Sequence, residues 1–527
     1  DNQRGNAHMN SQFEDYDYER AAELRRLRRQ KRRRKVMMMR AVFFLVLLLI
    51  VAGGAFAVSR IVLKKDSGTS GTSGSGKNDT VSNVTVTEAP RETEAVPAAT
   101  EAVPAETEAQ TATSDLQSTL DQAALLAAGY DYDGAIALLQ QLPDYAGNAQ
   151  VTQAISDYEA TKATCTAVDV TTIPHIFYHS LVNNTDAAFN VSVLGQSQVD
   201  GMNAWMTTIE EFDKITQQMY DNGYVFVRLH DLVTETTDAD GTVHFSPNTS
   251  LMLPPGKKAV VLSVDDLSYY HSYEPASFPD KLVLDENGDV KCHYVKPDGS
   301  EEIGDFDVVP RLNTFLKEHP DGAYKGARGT IALTGYNGVF GYRTDSDYQT
   351  KQHLTEDQQK WLDEHPDFDY DADIAGAKQI AEALKEEGWD FASHTWGHLS
   401  VTGKTVDQLR TDNEKWMDNV ADIVGATDTI IFAHGNDIGS WEGYSSDNEV
   451  YQYFKGAGYN FYCNVDGSQP YWVQITDQYV RQGRIDLDGY MLYRASTGQT
   501  TVLDNMFKAS EVFDQRRPTP VIANGES

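Results

Sequence analysis

From Val168 onward, short runs of β-branched and aromatic residues alternate with amphipathic stretches, and this alternation limits the possible folds more than any other feature. Strand–helix alternation predicts a mainly parallel sheet. Seven or eight such units favour a closed or partly closed α/β barrel. The predicted strands are 175–179, 225–228, 259–264, 330–334, 391–393, 429–433, 461–465 and 491–493. The predicted helices are 209–222, 308–318, 375–387, 406–424 and 448–457, and residues 281–302 predict an inserted β-hairpin.

The N-terminal part of the chain carries a basic block followed by an apolar run. Residues 24–35 contain no acid, and residues 41–58 contain no charge. With its flanks, residues 37–63, the apolar run is long enough to cross a bilayer of about 30 Å. The basic residues of 1–36 precede the run, which predicts a cytoplasmic N-terminus, a single-pass anchor in the cell membrane and an extracytoplasmic body. A cleaved signal peptide is the alternative.

Two segments separate this predicted span from the barrel. Residues 64–114 are rich in Gly, Ser, Thr, Glu, Ala and Pro, which predicts a disordered linker. Residues 115–165 show helical spacing of apolar residues and resemble one tetratricopeptide-like helix pair. One pair cannot build a solenoid, so a spacer packed on the domain at 168–520 is favoured over a peptide-binding module.

Charge and cysteine content exclude several functional classes. Residues 1–65 hold 15 Lys and Arg against 6 Asp and Glu, a net +9, which leaves −43 for the remainder. A body this acidic repels nucleic acid and anionic polymers, so nucleic acid is not an expected partner. The three cysteines lie far apart in sequence and match neither a metal-binding nor a disulfide pattern.

Two acids and two histidines follow predicted strands that lie about 130 residues apart. Asp265 and Asp266 end the run at 259–264, and His394 and His398 follow the run at 391–393. One carboxylate and two imidazoles form a ligand set for a divalent metal with an open position, and a second carboxylate can act as a base. A helix N-cap or loop contact is the alternative for the acids, and His-x3-His spacing also arises by chance.

Four segments in the same order resemble the polysaccharide deacetylases of the NodB-homology type. They are IPHIFYHSL, FDKITQQMYDNGYVFVRLHDL, KKAVVLSVDDLSYY and SHTWGH. The resemblance implies a deformed (β/α) barrel and a divalent metal, usually zinc, with cobalt, manganese and nickel compatible. It also implies metal ligation by Asp266, His394 and His398, with Asp265 as the catalytic base.

The chain departs from the family pattern at three places. Leu267 stands where the family has Gly after the acid pair. The arginine motif is expected at 429–437, which contains no Arg, and the histidine of the last motif is expected at 489–496, which contains no His. We therefore expect Asp265 to lack its usual arginine partner. His434 is the predicted catalytic substitute for the missing proton donor, and His179 is the second choice.

The resemblance implies a metal-dependent hydrolase that removes acetyl groups from a cell-envelope polysaccharide, of the N-acetylglucosamine type or peptidoglycan. The missing Arg and His motivate a first alternative, a weakly active or inactive member of the fold that binds glycan. The second alternative is a membrane-anchored scaffold that recruits partners through the helical segment at 115–165.

Overall fold

The computed structural model describes residues 105–523, with side chains described from residue 115 onward. The predicted cytoplasmic segment 1–36, the predicted span 37–63 and the linker up to residue 104 lie outside the described residues. No helix within residues 105–523 is long and apolar enough to cross a membrane. The first helix, Ala105–Ala128, begins inside the segment that the sequence predicts as linker.

Eight parallel strands make up most of the nine-stranded main sheet, and seven of them close a barrel. In chain order they are β1 His175–Tyr178, β2 Tyr224–Val227, β3 Lys258–Asp265, β4 Thr330–Leu333, β5 Asp390–Ser393, β6 Thr429–Ile431, β7 Phe461–Val465 and β8 Val480–Asp486. Parallel pairing runs β3–β4–β5–β6–β7–β8–β1 and returns to β3. β2 pairs only with the first half of β3. The predicted parallel barrel is confirmed, with β2 outside the closed ring.

Helices surround the strands because each presents one apolar face to the sheet. Helix Ile209–Asp221 buries Phe212, Ile215 and Met219, and a capping box at Thr208 starts it. The other helices of eight or more residues are Tyr132–Gln140, Ala149–Lys162, Gln196–Trp205, Val308–Glu318, Glu356–Glu364, Tyr370–Glu387, Val406–Trp416, Glu449–Gly456 and Gly489–Ser496. Shorter helices span Thr185–Ala188, Val191–Leu194, Ser346–Thr350, Asp422–Val424 and Ala509–Val512.

The prediction of a strand at residues 491–493 is wrong. These residues lie in helix Gly489–Ser496, which Asp488 caps by accepting a hydrogen bond from the Met491 amide. The last barrel strand is β8, whose sequence, VRQGRID, has no apolar run. Gln482 and Arg484 point into the barrel, where they hydrogen-bond to His175 and Asp265. Because polar side chains fill this strand, a pattern of apolar residues does not reveal it.

Antiparallel strands lie outside the closed ring of seven strands. The predicted hairpin at 281–302 is present as Lys281–Leu284 and Val290–Val295, and Glu301–Gly304 adds a third strand. Strand Trp472–Ile475 lies antiparallel to β8. Two further pairs join Val233–Thr237 to Val243–Pro247 and Thr166–Ala167 to Met252–Leu253.

The helical segment packs against the end of the barrel where the strands begin. Ala123, Ala135 and Leu139 belong to one buried apolar cluster with Val225 and Val261. Leu139 is fully buried, so the segment shares a core with the barrel. The opposite end of the barrel, where the strands finish, carries the acid pair and the histidines.

Candidate metal centre

The carboxyl ends of β3 and β5 bring three predicted ligands together. Asp266, His394 and His398 each offer one ligand atom, and these atoms all lie within 4.8 Å of one another. His398 Nε2 is 3.5 Å from Asp266 Oδ2. All parallel strands of the barrel end at the same rim, and only β4 separates β3 from β5. This explains how residues about 130 positions apart in sequence meet here.

The turn after β5 is held in place by an acid from a neighbouring helix. Asp412, in helix Val406–Trp416, accepts hydrogen bonds from the amides of Trp396 and Gly397, at 2.7 and 2.8 Å. His398 itself has a φ of +52°, a left-handed conformation that a non-glycine residue adopts only under constraint. The turn therefore aims His398 back toward His394.

The hydrogen bonds of His394 select the tautomer that a metal site needs. Nδ1 lies 2.7 Å from the Ile431 carbonyl oxygen, which can only accept, so Nδ1 carries the proton. Nε2 is then a lone-pair donor facing the cluster. Burial lowers the pKa of the His398 ring and keeps that ring neutral. Two imidazoles and one carboxylate fit zinc and related divalent ions, with a position left open for substrate.

A chain of hydroxyl groups orients the Asp266 ligand. The Tyr270 hydroxyl donates to Asp266 Oδ1 at 2.7 Å and lies 2.6 Å from Thr334 Oγ1. Because Tyr270 has one proton and the carboxylate only accepts, Thr334 must donate to Tyr270. Ser268, 3.1 Å from Thr334, then donates to Thr334 in turn. Sequence reasoning missed this role for Tyr270.

The expectation that Asp265 lacks an arginine partner is wrong. Arg484 on β8 donates to both carboxylate oxygens of Asp265, at 2.8 and 2.9 Å, and both side chains are buried. Burial alone would raise the pKa of Asp265, but the Arg484 guanidinium, together with His394 and His179, outweighs burial and holds that pKa below its usual value. Asp265 is therefore ionised at neutral pH, with Oδ2 3.8 Å from His394 Nε2.

The structure brings His179 and His434 near the ligands in different ways. His179 directly follows β1, and its Nδ1 is buried without a hydrogen-bond partner among the described residues. Burial lowers the pKa of His179, and the charges of Asp265 and Asp266 oppose that shift. The ring of exposed His434 lies 4.3 Å from that of His398, and His434 Nε2 is 3.1 Å from the His398 carbonyl oxygen.

Comparisons with known proteins add structural neighbours but no sequence relative. No family model matches the sequence, and no curated protein matches it. The structure is similar to the Streptococcus pyogenes deacetylase PplD, solved in complex with acetate. That likeness has 15% identity, covers 60% of this chain and 92% of that chain, and has a TM-score of 0.29.

A second neighbour is a Mycobacterium smegmatis protein assigned as a polysaccharide deacetylase. The identity is 14%, the coverage is 34% of this chain and 44% of that chain, and the TM-score is 0.19. At these identities and TM-scores, the likeness to the two proteins assigns no family and no activity to this chain.

Proposed function

We propose that this protein is a metal-dependent hydrolase that removes acetyl groups from a cell-envelope polysaccharide. The observation that carries the proposal is the arrangement at the barrel rim: three ligand side chains converge, and an ionised carboxylate lies beside them. An open position between Asp266, His394 and His398 leaves room for the substrate oxygen. Such a set suits hydrolysis better than a purely structural metal site, which is closed by four ligands.

The residues divide the chemistry between them. A divalent ion, zinc first and cobalt, manganese or nickel as alternatives, would lower the pKa of a water molecule and polarise the acetyl carbonyl. Asp265 accepts the proton that this water loses as it attacks the acyl carbon. Arg484 keeps Asp265 ionised and fixes both of its oxygens. Tyr270 fixes the orientation of Asp266.

A cleft of about 1210 Å³ lies beside the metal centre rather than at it, because Asp265, Asp266, His394 and His398 do not line it. Arg343 lines it and also donates to the backbone carbonyls of Ser268 and Tyr269, in the loop that follows the ligand Asp266. The walls of this cleft combine aromatic side chains, including Phe278, with several acids. Aromatic faces suit sugar rings, and acids favour a product that carries new amines.

The cellular setting of the proposal comes from the sequence alone. A span at 37–63 with the basic segment on its cytoplasmic side would place residues 115–523 outside the membrane. A linker of about forty residues, 64–104, would let the barrel reach on the order of 100 Å. Peptidoglycan and other acetylated envelope polymers lie within that distance.

Acetate release by the full-length protein tests the proposal. The protein is stripped with a chelator, and acetate is measured with N-acetylglucosamine oligosaccharides and with peptidoglycan, before and after zinc, cobalt, manganese or nickel is restored. We expect release only after metal is restored and its loss in His398→Ala. The matched control is His353→Ala, which removes an exposed histidine outside the site. Equal release by stripped and reloaded protein would refute metal dependence.

A non-catalytic glycan-binding protein is the second candidate function. It is favoured by the absence of a histidine from β8, the last barrel strand, where Arg484 and Asp486 stand instead. This candidate predicts bound metal and glycan binding, with no acetate from any polymer tested. Detection of acetate above the His398→Ala background would exclude it.

A further inference from the structure

Strand β8 presents a row of polar side chains to the barrel interior. Gln482 lies 3.1 Å from His175 Nδ1, and Arg484 reaches Ser263 and Asp265. Side chains two apart on a strand point the same way, so Asp486 faces the interior as well. It is the last residue of β8, one step closer than Arg484 to the rim that carries the metal ligands.

Asp486 differs from Asp265 because it forms no ion pair within the described residues. Both carboxylate oxygens of Asp265 accept hydrogen bonds from Arg484. In contrast, Asp486 Oδ1 is buried and has no hydrogen-bond partner in the described part of the chain. The neighbouring carboxyl, Asp488, is also buried and is fixed by the Met491 amide at 2.6 Å. A buried carboxyl oxygen without a partner is costly unless the group binds something or carries a proton.

The surroundings of Asp486 favour the protonated acid. Burial raises its pKa well above the usual value, and the charges of Asp488 and Asp265 raise it further, while Arg484 opposes them. Asp486 and Asp488 also hydrogen-bond to each other, and two carboxyls can do so only if they share a proton. The charged groups that face Asp488 are Arg517 and Glu211. The pair therefore holds a proton near neutral pH.

We propose that Asp486 is the catalytic acid that gives its proton to the leaving amine. The proposal rests on the deacetylase function proposed above, and it assigns the step for which the sequence offers no histidine at the end of the last strand. An acid of raised pKa placed opposite an ionised base is a recurrent arrangement for acid–base catalysis at neutral pH.

Asp265 and Asp486 together account for every proton that the reaction transfers. Asp265 takes one proton from water, and the remaining hydroxyl adds to the acyl carbon. The C–N bond then breaks, its electron pair stays on nitrogen, and the Asp486 proton moves to that nitrogen. The products are a free amine and acetic acid, which ionises and gives its proton to the amine. The proton on Asp265 returns to Asp486 through solvent and resets both groups.

His434 is the rival proton donor. Its Nε2 lies 3.1 Å from the His398 carbonyl oxygen, which only accepts, so Nε2–H is committed to that backbone group. The two candidates therefore make opposite predictions for the same assay.

Substrates with different leaving groups separate these roles. An acetamido sugar needs a proton on its leaving nitrogen, whereas 4-nitrophenyl acetate releases a stable phenoxide without one. In metal-loaded full-length protein, we expect Asp486→Asn to lower kcat on the acetamido oligosaccharide by about 10²- to 10⁴-fold. For Asp486→Asn, the kcat/KM on the aryl ester and the amount of metal bound per protein should stay near the wild-type values. The alkaline limb of the pH profile for the acetamido substrate should also be lost.

Control variants and a second readout keep the outcomes distinct. Asp486→Glu should retain more acetamide activity than Asp486→Asn, and His434→Ala should retain most of it. In metal-free protein at pH 7, an infrared band of a protonated carboxyl should disappear in Asp486→Asn. Equal loss on both substrates, no loss on the acetamide, or a selective acetamide loss in His434→Ala would overturn the assignment. Wild-type protein inactive on both substrates would instead refute the proposed function.

Discussion

Arg484 and Asp265 form a buried two-point ion pair between β8 and β3, with both nitrogen–oxygen distances below 3 Å. The residues are 219 positions apart in sequence. The pair ties the last strand of the barrel to the strand that carries the acid pair. It also fixes the protonation state and the orientation of the proposed base.

Removal of Arg484 should destabilise the fold and disable the base. Arg484→Met leaves the Asp265 carboxylate buried without its partner, which costs about 3–5 kcal/mol. The free energy of unfolding is measured by denaturant titration. The control, Arg410→Met, removes an exposed pair with Asp407 and should change stability by less than about 1 kcal/mol. Similar values for the two variants would contradict the role of the buried pair.

Removal of the Tyr270 hydroxyl should weaken metal binding without unfolding the protein. Tyr270→Phe frees Asp266 Oδ1 from its donor, and loss of such an outer contact lowers metal affinity by about 10- to 100-fold. Calorimetric titration of the chelator-stripped protein with zinc measures this. Tyr451→Phe is the matched control, because the buried Tyr451 hydroxyl has no hydrogen-bond partner in the described residues. An unchanged affinity in Tyr270→Phe would show that Asp266 needs no support.

Asp307 should make the stability depend on pH in a defined direction. Burial raises its pKa to about 6 in the folded state, against about 3.9 in an unfolded chain. A raised folded pKa contributes stability that is fully present below about pH 4 and is lost as the pH rises through about 6.

The variant Asp307→Asn removes this dependence while its amide oxygen can still accept from the Leu181 and Val308 amides. Relative to wild type, the free energy of unfolding of the variant should rise by on the order of 2–3 kcal/mol between pH 4 and pH 7. Unfolding free energies at several pH values measure the difference. A difference in unfolding free energy between the two proteins that stays constant with pH would contradict the raised pKa of Asp307.

The helical segment at 115–165 should contribute to the stability of the barrel, because it covers the end where the strands begin. Leu139→Ala creates a cavity in the shared core and should cost about 2–5 kcal/mol in a single cooperative unfolding transition. Leu125→Ala changes a side chain that is 61% exposed and should stay within about 0.5 kcal/mol. Separate transitions for segment and barrel would favour the scaffold alternative, in which the segment acts independently.

The sequence predicts those parts of the site that follow apolar strands. Asp265 ends β3, Asp266 follows it, and His394 follows β5, so local pattern and chain order place them at one rim. Arg484 and Asp486 lie on a strand that also carries polar side chains, so hydrophobic periodicity misses this strand and predicts the last strand at 491–493, which is helical. Their roles depend on pairing across the barrel, which no local pattern encodes.

The direct test of the central claim is to count acetate and new primary amine released together from an N-acetylglucosamine oligosaccharide by the zinc-loaded, full-length protein. We predict equal amounts of the two products, and loss of both in Asp265→Asn although that variant still binds metal. No acetate from the metal-loaded wild type, or undiminished release by Asp265→Asn, would contradict the account.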